Sequence, residues 1–203
     1  MREINTATVT LEGVTPYSPS RNYTAEVEKL KDESADAYDA RTWRHHAHVN
    51  AKQIIVIPGE CFAWAIKAMA KRRSDRIPGK GQKTYTAAFD PIEVIGDIST
   101  GMHVDKAAME SFMANSDGVR GSGKRVLRRF PRVDAWKGSI TFVMWDVRIP
   151  RGVFEETITD AGLLIGIGRR RPENKGMFGR FSVSAIDWSE RVDPMRVLGM
   201  AAE

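Results

Sequence analysis

Residues 165–180 read Ile-Gly-Ile-Gly-Arg-Arg-Arg-Pro-Glu-Asn-Lys-Gly-Met-Phe-Gly-Arg. Within them Arg169, Arg170, Arg171, Lys175 and Arg180 are bracketed or closed by two glycine pairs, Gly166/Gly168 and Gly176/Gly179. Glycine lets a backbone come close to a ligand. Guanidinium and ammonium groups make charge-assisted hydrogen bonds to phosphate oxygens, and loop amides can form a concave anion site. The chemistry indicated is the grip of a polyanion, above all a nucleic acid held by its backbone. The competing reading is a tight loop with solvated charges.

A second basic stretch spans residues 118–132, with Lys124, Arg125, Arg128 and Arg129 among its cations. Gly118 to Lys124 has the spacing of a phosphate loop, but Arg125 stands where Ser or Thr should hold magnesium, and neither a clean strand nor a clear helix flanks it. A flexible basic finger is the better reading, with an affinity that falls as salt rises; a solvated loop is the alternative. A third run, Lys67, Lys71, Arg72, Arg73, Arg76, Lys80 and Lys83, sits around a helix end, where the dipole attracts cations in any case.

A fourth cluster is Trp43, Arg44, His45, His46 and His48. Trp43 and Arg44 suit base stacking and phosphate contact. The histidines have the chemistry of a general base or a metal ligand, yet no carboxylate lies at a recognisable spacing, and their role stays open. Asp117, on the finger, could serve metal-assisted RNA cleavage, although nothing singles it out. There is no Ser-His-Asp or His-Glu-x-x-His arrangement. No catalytic residue is assigned, and no metal or cofactor is expected.

These residues need elements to position them. Residues 5–13 alternate between Thr6, Thr8, Thr10 and Ala7, Val9, Leu11, the pattern of a half-buried strand. Residues 15–24 read as loop, and 25–43 as an exposed acidic helical excursion. Residues 54–57 form a short apolar strand broken by Pro58-Gly59. A helix over 60–71 follows, with Phe62, Ile66 and Met69 on one face. Residues 74–90 read as basic loop and 91–98 as strand. Residues 99–137 read as irregular, with a short helix around 105–114. Residues 140–147 are apolar on both faces, as a central strand requires. A helix then carries Phe154, Ile158 and Ala161. The glycine loop follows, then a last strand with Phe181, Val183 and Ala185 on one face. The tail from Trp188 is unassigned. Without its excursions the order is βαββαβ, the ferredoxin-like or RNA-recognition topology, whose open sheet face can bind single strands.

The chain has 203 residues, of which 42% are hydrophobic, and a net charge of +5. This fits one domain over 1–203, with insertions at about 15–50 and 99–137. The basic balance is compatible with nucleic acid. A single cysteine, Cys61, rules out an intramolecular disulfide and a cysteine-rich zinc site; it reads as a small buried residue. No apolar leader or membrane-length stretch is present. A cytoplasmic protein of a bacterial or phage-infected cell is expected.

Two segments together resemble the RAMP superfamily of CRISPR-associated proteins. Residues 55–67, Ile-Val-Ile-Pro-Gly-Glu-Cys-Phe-Ala-Trp-Ala-Ile-Lys, are similar to the family's Ile-Pro-Gly turn opening its first helix. Gly166-Ile167-Gly168 through Lys175-Gly176-Met177-Phe178-Gly179-Arg180-Phe181 is similar to its C-terminal glycine-rich loop running into the last strand. The first strand followed by Thr15-Pro16-Tyr17-Ser18 also fits. The turn departs from the family in reading Pro-Gly-Glu-Cys where Pro-Gly-Ser-Ser is more usual, and the chain is short for a backbone subunit. The resemblance implies an α+β, ferredoxin-like modified RNA-recognition fold with an inserted finger or thumb, to which 99–137 is suited. It implies sequence-independent binding of single-stranded nucleic acid, RNA favoured over DNA, by a subunit that self-associates along the strand with other effector-complex subunits. A phage-encoded relative fits the same residues. The alternatives are an endoribonuclease of the same fold and a phage structural or assembly protein; the balance is against an enzyme.

Overall fold

A computed structural model describes residues 3–115 and 123–199 of the chain. In chain order they form strand β1 (Ile4–Gly13), helix α1 (Ala35–Thr42), strands β2 (His48–Val49) and β3 (Ile54–Ile57), and helices α2 (Gly59–Arg73) and α3 (Thr86–Phe89). Then come β4 (Glu93–Ile95), β5 (Ile98–His103), β6 (Ala108–Asn115), β7 (Arg125–Arg132), β8 (Lys137–Met144), α4 (Arg151–Asp160), β9 (Phe181–Val192) and α5 (Pro194–Gly199). Asp117 and the start of the phosphate-loop spacing lie outside the described residues.

The main sheet has the order β4-β8-β1-β9, antiparallel throughout. With α2 after β1 and α4 after β8, the elements β1, α2, β4, β8, α4 and β9 make a βαββαβ, ferredoxin-like fold. The alternation in β1 buries Ala7, Val9 and Leu11 completely. They join Ile140, Phe142 and Met144 of β8 beneath Phe62, Ile66 and Met69 of α2, Phe154 and Ile158 of α4, and Ala161 just past its end. Phe62 meets Phe181 edge-on at 5.4 Å, and Phe142 meets Phe154 likewise at 5.4 Å. Each such buried ring contributes about 1.5–3 kcal/mol, so these two contacts clamp both helices to the sheet.

The Pro58-Gly59 break opens α2 for a reason of packing. A Cβ on Gly59 would run into the Gly96 carbonyl and lie 2.7 Å from a Val94 methyl. Pro58 offers no side-chain cap. The Asp97 carboxylate supplies one instead, accepting the Gly59 N–H at 2.9 Å. At the far end Arg73 binds Asp75 at 2.7 Å, Glu156 at 2.6 Å and Asp160, tying α2 to α4.

Four expectations need correction. Residues 105–114 are not a helix. Only 104–106 make a 3₁₀ turn, and 108–115 form β6, which pairs with β7 in a hairpin. The apolar residues Ala108, Met109, Phe112 and Met113 have helical spacing. Their cross-strand partners, Leu127 opposite Met113 and Arg128 opposite Phe112, override it. In the first insertion, helix is confined to α1 and a 3₁₀ turn at Trp43–His46. Residues 74–90 are not wholly loop, since 86–89 form α3; the 54–57 strand, β3, lies between β2 and β5 in a smaller sheet. Residues 91–98 are divided between β4 and the start of β5.

β9 runs on to Val192, because a bulge resets its alternation: Leu11 pairs with Val183 but Thr10 with Ala185. Ala185 is therefore exposed, while Ile186 and Trp188 pack against the core. The opposite sheet face carries Thr8, Thr10, Ser139 and Thr141, cross-bonded at 2.9 Å in the pairs Thr8–Thr141 and Thr10–Ser139. No aromatic ring lies at these positions, so this face lacks the stacking platform of an RNA-recognition sheet.

Candidate nucleic-acid interface

After Asp160 the helix α4 widens into one π turn, Ala161–Ile165, and leads into the glycine loop. The loop is closed on itself. Ile167 donates to the Gly179 carbonyl (2.9 Å), Phe178 to Arg170 (3.0 Å) and Gly176 to Arg171 (3.0 Å). Arg169 donates to Ser18 and Gly179 to Pro16, both at 2.8 Å. The close approach that glycine permits is an approach of the chain to itself. At Gly179 (φ +72°) a Cβ would strike the Ile167 carbonyl, and at Gly168 (φ +69°) it would lie 2.6 Å from the Ser18 carbonyl and the Tyr17 ring. Several of the loop's amides are thereby occupied before any ligand arrives.

The loop's cations are held individually. Arg169 lies 3.9 Å from the Phe130 ring centroid and 3.3 Å from the Ser20 hydroxyl; burial, then the charge of Arg128, pull it below its usual range. Arg170 pairs with Glu110 at 2.6 Å and lies over Phe178 at 4.9 Å. Arg171 lies 4.1 Å over the ring of Trp64 and pairs with Glu173 at 3.1 Å. Arg180 donates to the Leu163 carbonyl at 3.2 Å. Lys175 is exposed.

Through Arg169 and Arg170 the loop carries the base of the finger. Phe112 and Phe130 stack at 5.4 Å on the β6–β7 face turned toward these arginines, and Glu110 sits on the same face. The other side is anchored by Asp39 of α1, 2% exposed, which accepts the Arg129 backbone N–H at 3.0 Å and its guanidinium at 3.2 Å. Asp39 also lies 3.7 Å from Arg128. Arg128 and Arg129 thus seat the finger on the first insertion, whereas Lys124 and Arg125 stand exposed toward its end.

Three depressions lie side by side next to the loop. One, of about 420 Å³, is lined by Trp64, Arg171, Gly168 and Ser20, with His48 and Glu60 at its border. His48 and Glu60 also border the second, about 690 Å³, with Arg21, His45 and Asp97. Arg21 and His45 continue into the third, about 250 Å³, with Arg41 and Arg44. Together they form a groove from the glycine loop, past the start of α2, to the first insertion. Two clusters far apart in sequence, Arg171 with Gly168 and Arg44 with His45, meet along it.

The histidines divide. His46 is structural: it donates from Nδ1 to the Arg21 carbonyl (3.0 Å), packs on Phe130 (4.3 Å), and burial lowers its pKa. His45 and His48 face the groove, and burial, then Arg21, lower the pKa of His48. Trp43 is 6% exposed beneath Arg44, whose guanidinium lies 4.3 Å from its ring, so it offers no open face. Arg44 Nε is buried without a hydrogen-bond partner. Lys67 follows Trp64 by three residues on α2, adjoining the same helix face. Half-buried Cys61, beside the groove, has its thiol pushed up to about 11 by burial and by Glu60.

The sequence reading missed Trp64, Arg21 and Glu60. The signal for Trp64 was present: a tryptophan on α2 off the Phe62–Ile66–Met69 face. Among the described residues no three His, Cys, Asp or Glu side chains gather as a metal site would need, and no helix is long and apolar enough to cross a membrane.

No protein-family model matches the chain, and no curated protein matches it in sequence. Among solved structures it is similar to a chain in the cryo-EM structure of the Type III-B Cmr-beta bound to cognate target RNA, with 10% identity and a TM-score of 0.44. The likeness covers 93% of this chain and 61% of that one, so this chain matches less than two thirds of that chain's length.

Proposed function

We propose that this protein, acting as one unit over its 203 residues, binds single-stranded nucleic acid, RNA in preference, chiefly through phosphate contacts. We propose further that it does so as a repeating subunit of a ribonucleoprotein of the RAMP kind, alongside other subunits. The observation that carries the reading is the groove: it aligns Arg171, Arg21 and Arg44 beside an exposed tryptophan, the combination of cations and ring that a sequence-tolerant single-strand site uses. The finger, with Lys124 and Arg125 exposed, would clamp the strand.

Arg169, Arg170 and Arg171 also hold the loop together, so the cleaner test neutralises exposed or half-exposed cations outside those contacts. Changing Lys67, Lys124, Arg125 and Lys175 to Gln should weaken binding and flatten its salt dependence by about 0.7 in log–log slope per lost phosphate contact. An unchanged slope in the folded variant would overturn the proposal.

A second reading, an endoribonuclease of the same fold, draws on His45 and His48 facing one depression with Glu60 and Asp97. Labelled RNA incubated with the protein, with and without EDTA, separates the two. Products that disappear in His45→Ala would favour the enzyme.

A further inference from the structure

Helix α2 buries Phe62, Ile66 and Met69 but leaves Trp64 42% exposed, although large aromatic rings dominate the energetics of cores and interfaces. The Arg171 guanidinium lies 4.1 Å from that ring and is pinned independently, by Glu173 at 3.1 Å and by the Gly168 carbonyl at 3.2 Å. The platform is therefore formed in advance, and a stacked base need not order it. Glu60 borders the same depression, exposed, and makes no ion pair or side-chain hydrogen bond among the described residues. Its place in the first turn of α2 suits the helix dipole, but that turn's Gly59 amide is already capped by Asp97. A bare carboxylate repels phosphate and accepts hydrogen bonds only. Beside a cationic stacking surface, it turns the base rather than the backbone of a strand toward itself.

We propose that the depression bounded by Trp64, Arg171, His48 and Glu60 is a single-nucleotide subsite, in which one base of the bound strand stacks on the Trp64–Arg171 pair and donates an exocyclic amine to the Glu60 carboxylate. This rests on the proposed function and adds a base preference at one position of an otherwise sequence-tolerant groove. Cytosine N4 and adenine N6 can donate; uracil presents O4, an acceptor, where cytosine has its amine.

The test is fluorescence anisotropy with labelled C, A and U tracts of equal length at one salt concentration. Wild type should bind the C and A tracts about fivefold more tightly than U. Glu60→Gln, whose amide both donates and accepts, should remove the gap. Trp64→Leu should weaken all three tracts by about five- to hundredfold, and Trp64→Phe should retain most of the affinity. Trp64 is exposed, so these variants should keep the wild-type circular dichroism. Equal wild-type affinities, a gap that survives Glu60→Gln, or a Trp64→Leu variant that binds like wild type would overturn the subsite while leaving the proposed function standing. Failure of wild type to bind any tract would overturn the function itself.

Discussion

At the scale of single residues, the charges of this protein bind the chain to itself before they bind anything else. Asp39 shows why: a carboxylate this buried must have its acceptor sites filled, and the Arg129 amide and guanidinium fill them. His46 is the titratable counterpart. Burial holds its folded pKa below the ordinary value of 6.5. On lowering pH the unfolded chain takes up a proton first, so stability is full above that value and falls as pH drops beneath it. His48 shifts in the same direction, whereas Glu33, lowered to about 2 by Arg41, titrates far outside this window. The melting temperature should decline from pH 7.5 to 5.5, by about 2–4 °C for each kcal/mol lost. His46→Gln should show a shallower decline, and an identical one would remove His46 from the account.

At the scale of elements, the glycine loop is a self-closing structure whose glycines differ in kind. Gly179→Ala adds a collision with the Ile167 carbonyl to an unfavourable φ of +72°, while Gly81→Ala, at φ +63°, meets nothing within 4 Å. Chemical denaturation should show about 1–2 kcal/mol lost at Gly81 and clearly more at Gly179, above about 3 kcal/mol. Equal losses would mean that the loop does not close as described. The finger is the opposite case for sequence reading. Ala108, Met109, Phe112 and Met113 have the spacing of a helix face, and only pairing with β7 makes them a strand with apolar side chains on both faces. α2 was legible because its buried stripe, its acidic start and its basic end all agree.

At the scale of the whole molecule, the first insertion, the finger and the glycine loop converge on one side of the ferredoxin-like core. Asp39 and Arg129 join the first to the second, and Glu110 and Arg170 join the second to the third. A single strand laid along the groove would meet the glycine loop and the first insertion directly, while the described finger residues stand beside it. If copies assemble along it as proposed, mass photometry on single-stranded RNAs of increasing length should show mass rising in steps of one subunit. One copy at every length would remove the repeating-subunit part of the proposal and leave the binding itself.

Local periodicity was enough to reveal the main strands, the two long helices and the core residues they bury, because alternation and helical spacing are properties of neighbours in sequence. The βαββαβ order followed from them, as did the presence of two basic segments and a glycine-rich loop. Only the tertiary structure decided where the charges go. Whether Arg170 faces solvent or Glu110, whether Gly168 opens toward a ligand or toward Tyr17, and whether Trp43 or Trp64 is the exposed ring all depend on contacts between residues 60 and 151 positions apart or on the face a helix happens to bury. Burial and ion pairing are settled by what packs alongside, and no period in the chain records that.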